Sequence, residues 1–166
     1  MAYAVTHILV VIVFLDLLRH YVFGKNKFPR YLVVLGGIAG LAPDIDIPIG
    51  GLLHFITGKN LLPHGTVTHS LLLAAAFFAI GIFLHSKKNL KWSRICNVIG
   101  VGFLFHILLD CLYGSGMEKF FFWPFLQVPH ICNLWDLYPY GNHIDAVLLV
   151  LWLVHEEVHQ RIKDYF

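Results

Sequence analysis

The chain has 166 residues, 58% of them hydrophobic and only 13% charged, with a mean hydropathy of +0.70. That composition excludes an ordinary soluble domain, and the length suits one integral-membrane domain over residues 1–166. The formal net charge of +2 says little as a total; the positions of the charges say more.

The first apolar segment covers about residues 3–23. No basic stretch precedes it and no small-residue cleavage site follows it, so it reads as a retained spanning helix and not a signal peptide. A short, glycine-rich segment at 31–42 stops at Pro43. A bilayer core needs roughly 20 helical residues to cross, so this segment is too short alone. Together with 51–57 it predicts a broken or re-entrant helix, and residues 44–50 would line a protein-enclosed cavity. Longer apolar segments follow at about 67–85, 92–113 and 142–162. The expected fold is all-α: a polytopic membrane bundle of four long transmembrane helices plus the short broken one. Gly36, Gly37 and Gly40 have the character of helix-packing residues. Trp92, Tyr113, Trp123, Trp135, Tyr138 and Tyr140 lie where apolar runs meet polar loops, as interfacial anchors do. The aromatic loop 114–141 is long for so small a bundle and reads as a lid or binding element. Cys96, Cys111 and Cys132 form no CxxC pair, and an odd count gives no disulfide framework; they read as small buried hydrophobes.

Basic residues orient the bundle. Arg19, Lys25, Lys27 and Arg30 flank the first connection, Lys87, Lys88, Lys91 and Arg94 the connection before the fourth segment, and Arg161 and Lys163 the C-terminus. Simple threading puts these on one side and leaves only Lys59 and Lys119 on the other. The positive-inside rule makes the basic side cytoplasmic, with the N-terminus outside and the C-terminus inside. The basic loops suit anionic membrane lipid, and no nucleic-acid partner is expected.

The same threading gathers His7, Asp44, Asp46, His64, His69, His106 and Asp110 at the opposite, non-cytoplasmic end. Imidazole and carboxylate are the usual ligands of zinc and similar metals, and ionisable groups at membrane depth are functional candidates. His106 and Asp110, four apart on a predicted helix, share a face. They can bind one metal jointly, bridge two, or satisfy each other as a hydrogen-bonded pair. Asp44 and Asp46, in LAPDIDIP, repel unless a cation lies between them; the alternative is a turn. His64 and His69 flank HGTVTHS, where Thr66 or Thr68 would cap the following helix and its N-terminus would suit an anion. In GNHID, Asp145 is a candidate outer ligand or general base and His143 a weaker candidate; either can be only a dipole contact at a helix start. His54 and His130 face the same side without a supporting motif. His20, His85, His155 and His159 fall on the basic side and read as surface groups, with Asp16 pairing to Arg19 or His20. No GxSxG, P-loop or dinucleotide fingerprint occurs.

Thr6–His7, LAPDIDIP, HGTVTHS and FHILLD (Phe105 to Asp110), with the trailing GSG…WPF, resemble the YdjM-like family of membrane-bound, metal-dependent hydrolases over roughly residues 5–125. The family pattern HRGxTHS departs here, since Gly65 and Thr66 follow His64 and the arginine is absent. A more distant likeness is to the zinc-dependent phospholipase C and single-strand nuclease superfamily, in the order His7, Asp44, His69, His106, Asp110. The expectation is a membrane-embedded hydrolase of a phosphoester such as a phospholipid headgroup. One to three divalent ions, zinc before manganese or iron, would be held by His7, Asp44, Asp46, His64, His69, His106 and Asp110. Asp46 and Asp145 are the candidate bases. The alternative is a membrane scaffold or sensor with a closed, structural metal site.

Overall fold

In a computed structural model the regular elements among the described residues are helices apart from one short antiparallel pairing of Glu118–Lys119 with His130–Ile131. The structure describes residues 3–113, 118–119, 121–125, 130–131, 135 and 137–160. Most of the loop 114–141, with Cys132, lies outside the described residues.

Helix α1 (Ala4–Leu18) widens into a π-helical turn at Arg19–Phe23 and ends at Gly24, whose φ of 81° suits glycine. Its valines and isoleucines are middling helix formers, so burial rather than propensity holds it. Pro29 caps α2 (Arg30–Leu41). Pro43 then has no N–H for a further α-helical bond. The backbone tightens to a 3-10 turn over Ala42–Ile45, with the Ala42 N–H donating to the Ala39 carbonyl. Helix α3 (Asp46–Thr57) resumes at once and stops at Gly58, in the left-handed region at φ 67°. The expected break at 44–50 is therefore one tight turn within a continuous 28-residue helical run, Arg30–Thr57.

Helices α4 (Leu71–Ser86), α5 (Leu90–Tyr113) and α6 (Gly141–Gln160) complete the bundle. Ser70 caps α4 by accepting from the Leu72 N–H at 3.2 Å. Neither expected threonine does so: Thr66 donates to the Pro63 carbonyl and Thr68 to Asp46. The Leu71 N–H donates to the Phe121 carbonyl, so the chain itself takes up groups expected to face an anion. Among the described residues, three helical runs are long and apolar enough to cross a bilayer: Ala4–Phe23, Arg30–Thr57 and Leu90–Tyr113. At 16 residues α4 is a shorter apolar helix, about 24 Å long at 1.5 Å per residue.

Helix α5 packs against both α2 and α4, α1 lies against α2, and α6 against α1. The core joins Val11 and Leu15 of α1, Leu32 and Val33 of α2 and Val98 of α5. Small residues permit this closeness, as expected of Gly36, Gly37 and Gly40. A methyl group at Gly40 would lie 2.7 Å from the His7 carbonyl, and one at Gly102 would lie 2.8 Å from the Ala39 backbone. Large apolar side chains such as Val34, Ile38, Ile82, Phe83 and Leu151 point outward, the reverse of a soluble bundle and suited to lipid.

Two sequence expectations change. Tyr113 is buried at 2% exposure, not at an interface, because α6 begins against it and a side chain at Gly141 would meet its ring. Cys111 is disulfide-bonded, whereas Cys96 is a free, half-buried thiol. Cysteine count alone could not separate the two roles.

Candidate metal centre

Helix α1 supplies His7, the turn between α2 and α3 supplies Asp44 and Asp46, and α5 supplies His106 and Asp110 one turn apart. His64 comes from the connection after α3, and His69 ends a 3-10 turn at Val67–His69. The seven residues converge. His7, His69 and His106 are fully buried, Asp46 and Asp110 are 1% exposed, and only the Asp44 and His64 side chains open slightly, at 14%.

The hydrogen bonds set the imidazole tautomers. His106 Nδ1 lies 2.8 Å from the Gly40 carbonyl, which can only accept, so Nδ1 donates and Nε2 keeps its lone pair. His64 Nδ1 donates to Asp46 Oδ1 at 2.7 Å. Thr68 donates its hydroxyl to Asp46 Oδ2 at 2.7 Å and accepts from His69 Nδ1 at 3.1 Å. Asp46 therefore fixes His64 directly and His69 through Thr68. The Nε2 lone pairs of His64, His69 and His106 are left facing inward.

Two of these lone pairs meet: His69 Nε2 and His106 Nε2 are 3.1 Å apart. Two acceptors that close repel unless positive charge lies between or beside them. Asp44 Oδ1 completes the arrangement, 3.4 Å from His106 Nε2, 3.6 Å from His69 Nε2 and 3.9 Å from His64 Nε2, and it accepts no hydrogen bond among the described residues. Tetrahedral zinc with bonds of 2.0–2.1 Å has ligand atoms about 3.3 Å apart. The spacing would admit such an ion.

His7 points the same way. Its ring stacks on His106 with centroids 3.9 Å apart, and Nε2 lies 3.5 Å from Asp110 Oδ1. Neither ring nitrogen makes a hydrogen bond among the described residues, although the side chain is fully buried. Such an orphaned polar group costs about 1–3 kcal/mol unless something else satisfies it. Among the described residues three groups could each hold a metal, with one ligand atom per residue and all atoms within 4.8 Å of one another; Asp16–His20–His155–Glu156 lies at the opposite end of the bundle, and His7–His106–Asp110 and Asp44–His64–His69 lie here. Asp110 Oδ2, 3.7 Å from both His69 Nε2 and His106 Nε2, links the latter two.

Asp46 stands behind this set, with both oxygens engaged by His64 and Thr68. Asp145 accepts from Thr6 Oγ1 at 2.6 Å and so ties α6 to the residue before His7. His143 is exposed and His54 lines an open groove beside His64. The side chains of His130 and His159 lie outside what is described.

A second polar cluster at the opposite end escaped the sequence reading. Asp16 pairs with Arg19 and His20 as expected, at 3.5 and 3.4 Å. His155 also reaches Asp16, at 3.3 Å, and Arg30 bonds Glu156. His20 and His155, read as surface groups, have side chains only 3% and 16% exposed. The signal was present: ionisable residues inside apolar segments, the criterion that pointed to the candidate metal site.

A family model described as YdjM inner membrane protein matches residues 1–161. The chain belongs to this family. No curated protein and no solved structure matches it. As a YdjM family member it is a membrane protein, in keeping with its apolar exterior and long apolar helices.

Proposed function

We propose that this YdjM family protein is a membrane-embedded, metal-dependent hydrolase of a phosphoester, a phospholipid headgroup being the favoured substrate. The observation that carries this reading is the pair of facing Nε2 lone pairs on His69 and His106, with the unsatisfied His7 ring and Asp44 Oδ1 beside them. In this reading His7, His106 and Asp110 hold one divalent ion, and Asp44, His64 and His69 hold a second, zinc first. Bound metal would supply a lowered water pKa and stabilise charge on the attacked group. Asp46 is a positioning residue, holding His64 and His69 in the tautomers that present Nε2. Asp145 positions α1 through Thr6.

Depth supports the membrane setting. His7 lies 12 residues from Arg19, Asp44 lies 14 from Arg30, and Asp110 lies 19 from Lys91. At 1.5 Å per residue these put the site roughly 18–28 Å from the basic end, near the far surface of a core about 30 Å thick. We read α1, the α2–α3 run, α4, α5 and α6 as threading the bilayer in alternation, with α4 the shortest crossing. The N-terminus then lies outside and the C-terminus in the cytoplasm. The Cys111 disulfide, one residue past Asp110, suits an oxidising compartment at the metal end.

Access supports a lipid. Asp44 lines a groove of about 380 Å³ whose other walls are Ile38, Leu41, Ala42, Ile45 and Pro48. On the other flank, Asp46 and His64 border a more polar groove of about 390 Å³ with His54 and Asn60. Apolar chains on one side and a headgroup on the other would meet at Asp44 and His64, the most exposed members of the set.

The test is metal content by elemental mass spectrometry, with hydrolysis of phospholipid and soluble phosphoesters, for the purified chain and Asp110→Asn. One or more equivalents of transition metal and hydrolysis, both lost in a variant that stays folded in detergent, are expected. Absence of metal after reconstitution would refute the reading. The deep burial of His7, His69, His106 and Asp110 favours one second reading, a structural metal site in a scaffold; bound metal without hydrolysis of any phosphoester would establish it.

A further inference from the structure

The end of the bundle opposite the candidate metal site holds a cavity of about 410 Å³ between α1, the connection that leads into α2, and the α4–α5 hairpin. That volume is in the range of small-molecule sites. Its deep walls are apolar: Leu15, Leu18, Phe28 and Val98. Its polar wall carries the cations Lys27 and Arg94 with His85, Ser93 and Asn97, and no carboxylate lines it. Neither Lys27 nor Arg94 makes an ion pair with any described residue. The contrast with the neighbouring polar cluster is instructive. There, Arg19 and Arg30 face Asp16 and Glu156, so the charges balance. In the cavity, Lys27 and Arg94 stand beside apolar walls with no carboxylate among the described residues to balance them.

We infer that this cavity is a binding site for one anionic phospholipid, seated with its phosphate against Lys27 and Arg94 and an acyl chain along Leu15, Leu18 and Val98. Charge complementarity selects an anion, because a partly buried guanidinium needs a counter-charge where water is scarce. The apolar walls select an amphiphile over free phosphate, which would leave most of the cavity unfilled. The basic connections Lys25–Arg30 and Lys87–Arg94 flank the opening, and cationic pockets between helices on the cytoplasmic side are where lipid headgroups bind. The site is separate from the metal centre and does not depend on hydrolase activity.

The experiment is native mass spectrometry of the full chain in detergent, offered phosphatidylglycerol and phosphatidylcholine with identical acyl chains, and separately inorganic phosphate. At about 1 kcal/mol per basic residue, two cations predict roughly thirtyfold preference for the anionic lipid. Lys27→Gln with Arg94→Gln should abolish that preference while leaving metal content unchanged. Lys27→Arg with Arg94→Lys should keep it, which separates charge from shape. Equal retention of the two lipids by the unaltered chain, or unchanged preference in the double glutamine variant, would overturn the inference. Retention of inorganic phosphate in place of lipid would also overturn it, in favour of a simple anion site.

Discussion

Replacing Asp46 with asparagine tests whether this carboxylate works through its histidines. The substitution conserves volume at a position 1% exposed. It removes one of two carboxylate acceptors, each 2.7 Å from its donor, His64 Nδ1 on one side and the Thr68 hydroxyl on the other. The asparagine amide has one oxygen and one NH2 group, so one donor would face another donor. A hydrogen bond to a charged group is worth about 1.5–3 kcal/mol. Losing one frees His64 to turn, or frees Thr68 and with it the His69 tautomer. Altering the partner behind a ligating histidine lowers metal affinity about 10–100-fold, or about 1.4–2.7 kcal/mol. Competition with a chromophoric chelator, on detergent-purified protein, measures this. The expected result is unchanged stoichiometry with weakened affinity. Full loss of metal would make Asp46 a direct ligand, and unchanged affinity would refute the positioning role.

Gly40→Ala should destabilise the fold by about 1–3 kcal/mol, the range for overpacking, because the new methyl meets the His7 carbonyl at 2.7 Å; thermal unfolding in detergent checks it. Chelation should lower the melting temperature of the parent chain, since a ligand that binds only the folded state stabilises it. The Asp110→Asn variant should show little further loss on chelation. Ser70→Ala should cost about 1 kcal/mol through the lost α4 cap; an unchanged melting temperature would mean the Leu72 N–H finds another partner.

Much of the site was legible because its chemistry is written in ligand type and local spacing. His106 and Asp110 are a helical turn apart in any helix, and Asp44 and Asp46 beside Pro43 mark a turn whatever surrounds them. The ligand–support distinction was not legible. Asp44 and Asp46 look equivalent in sequence, yet Asp44 faces the Nε2 atoms of three imidazoles whereas Asp46 meets His64 and His69 on their Nδ1 sides and bonds Thr68. Only the angle of the 3-10 turn at Ala42–Ile45 separates them. Asp145 was legible as a candidate ligand or base, but its bond to Thr6 was not, because the two lie 139 positions apart. The broken helix was foreseen from the shortness of 31–42, but its smooth continuation through Asp46 was not. A proline permits a tight turn as readily as an unwound one, and tertiary packing chooses. The cluster at Asp16 and His155 was missed because its members lie on the first and last helices, and no local motif links them.

The hydrogen bond from His106 to the Gly40 carbonyl makes the ring's chemistry depend on a distance between two helices. Gly40 belongs to α2 and touches α1 through the His7 carbonyl, while His106 rides on α5. The Gly40 main-chain oxygen therefore acts as a caliper between α2 and α5. Any sideways stretch of the surrounding bilayer that parts α2 from α5 would release Nδ1 and let the imidazole swap its proton. In the metal-site reading proposed above, the spacing of α2 and α5 would thus help set the affinity of His106 for its ion.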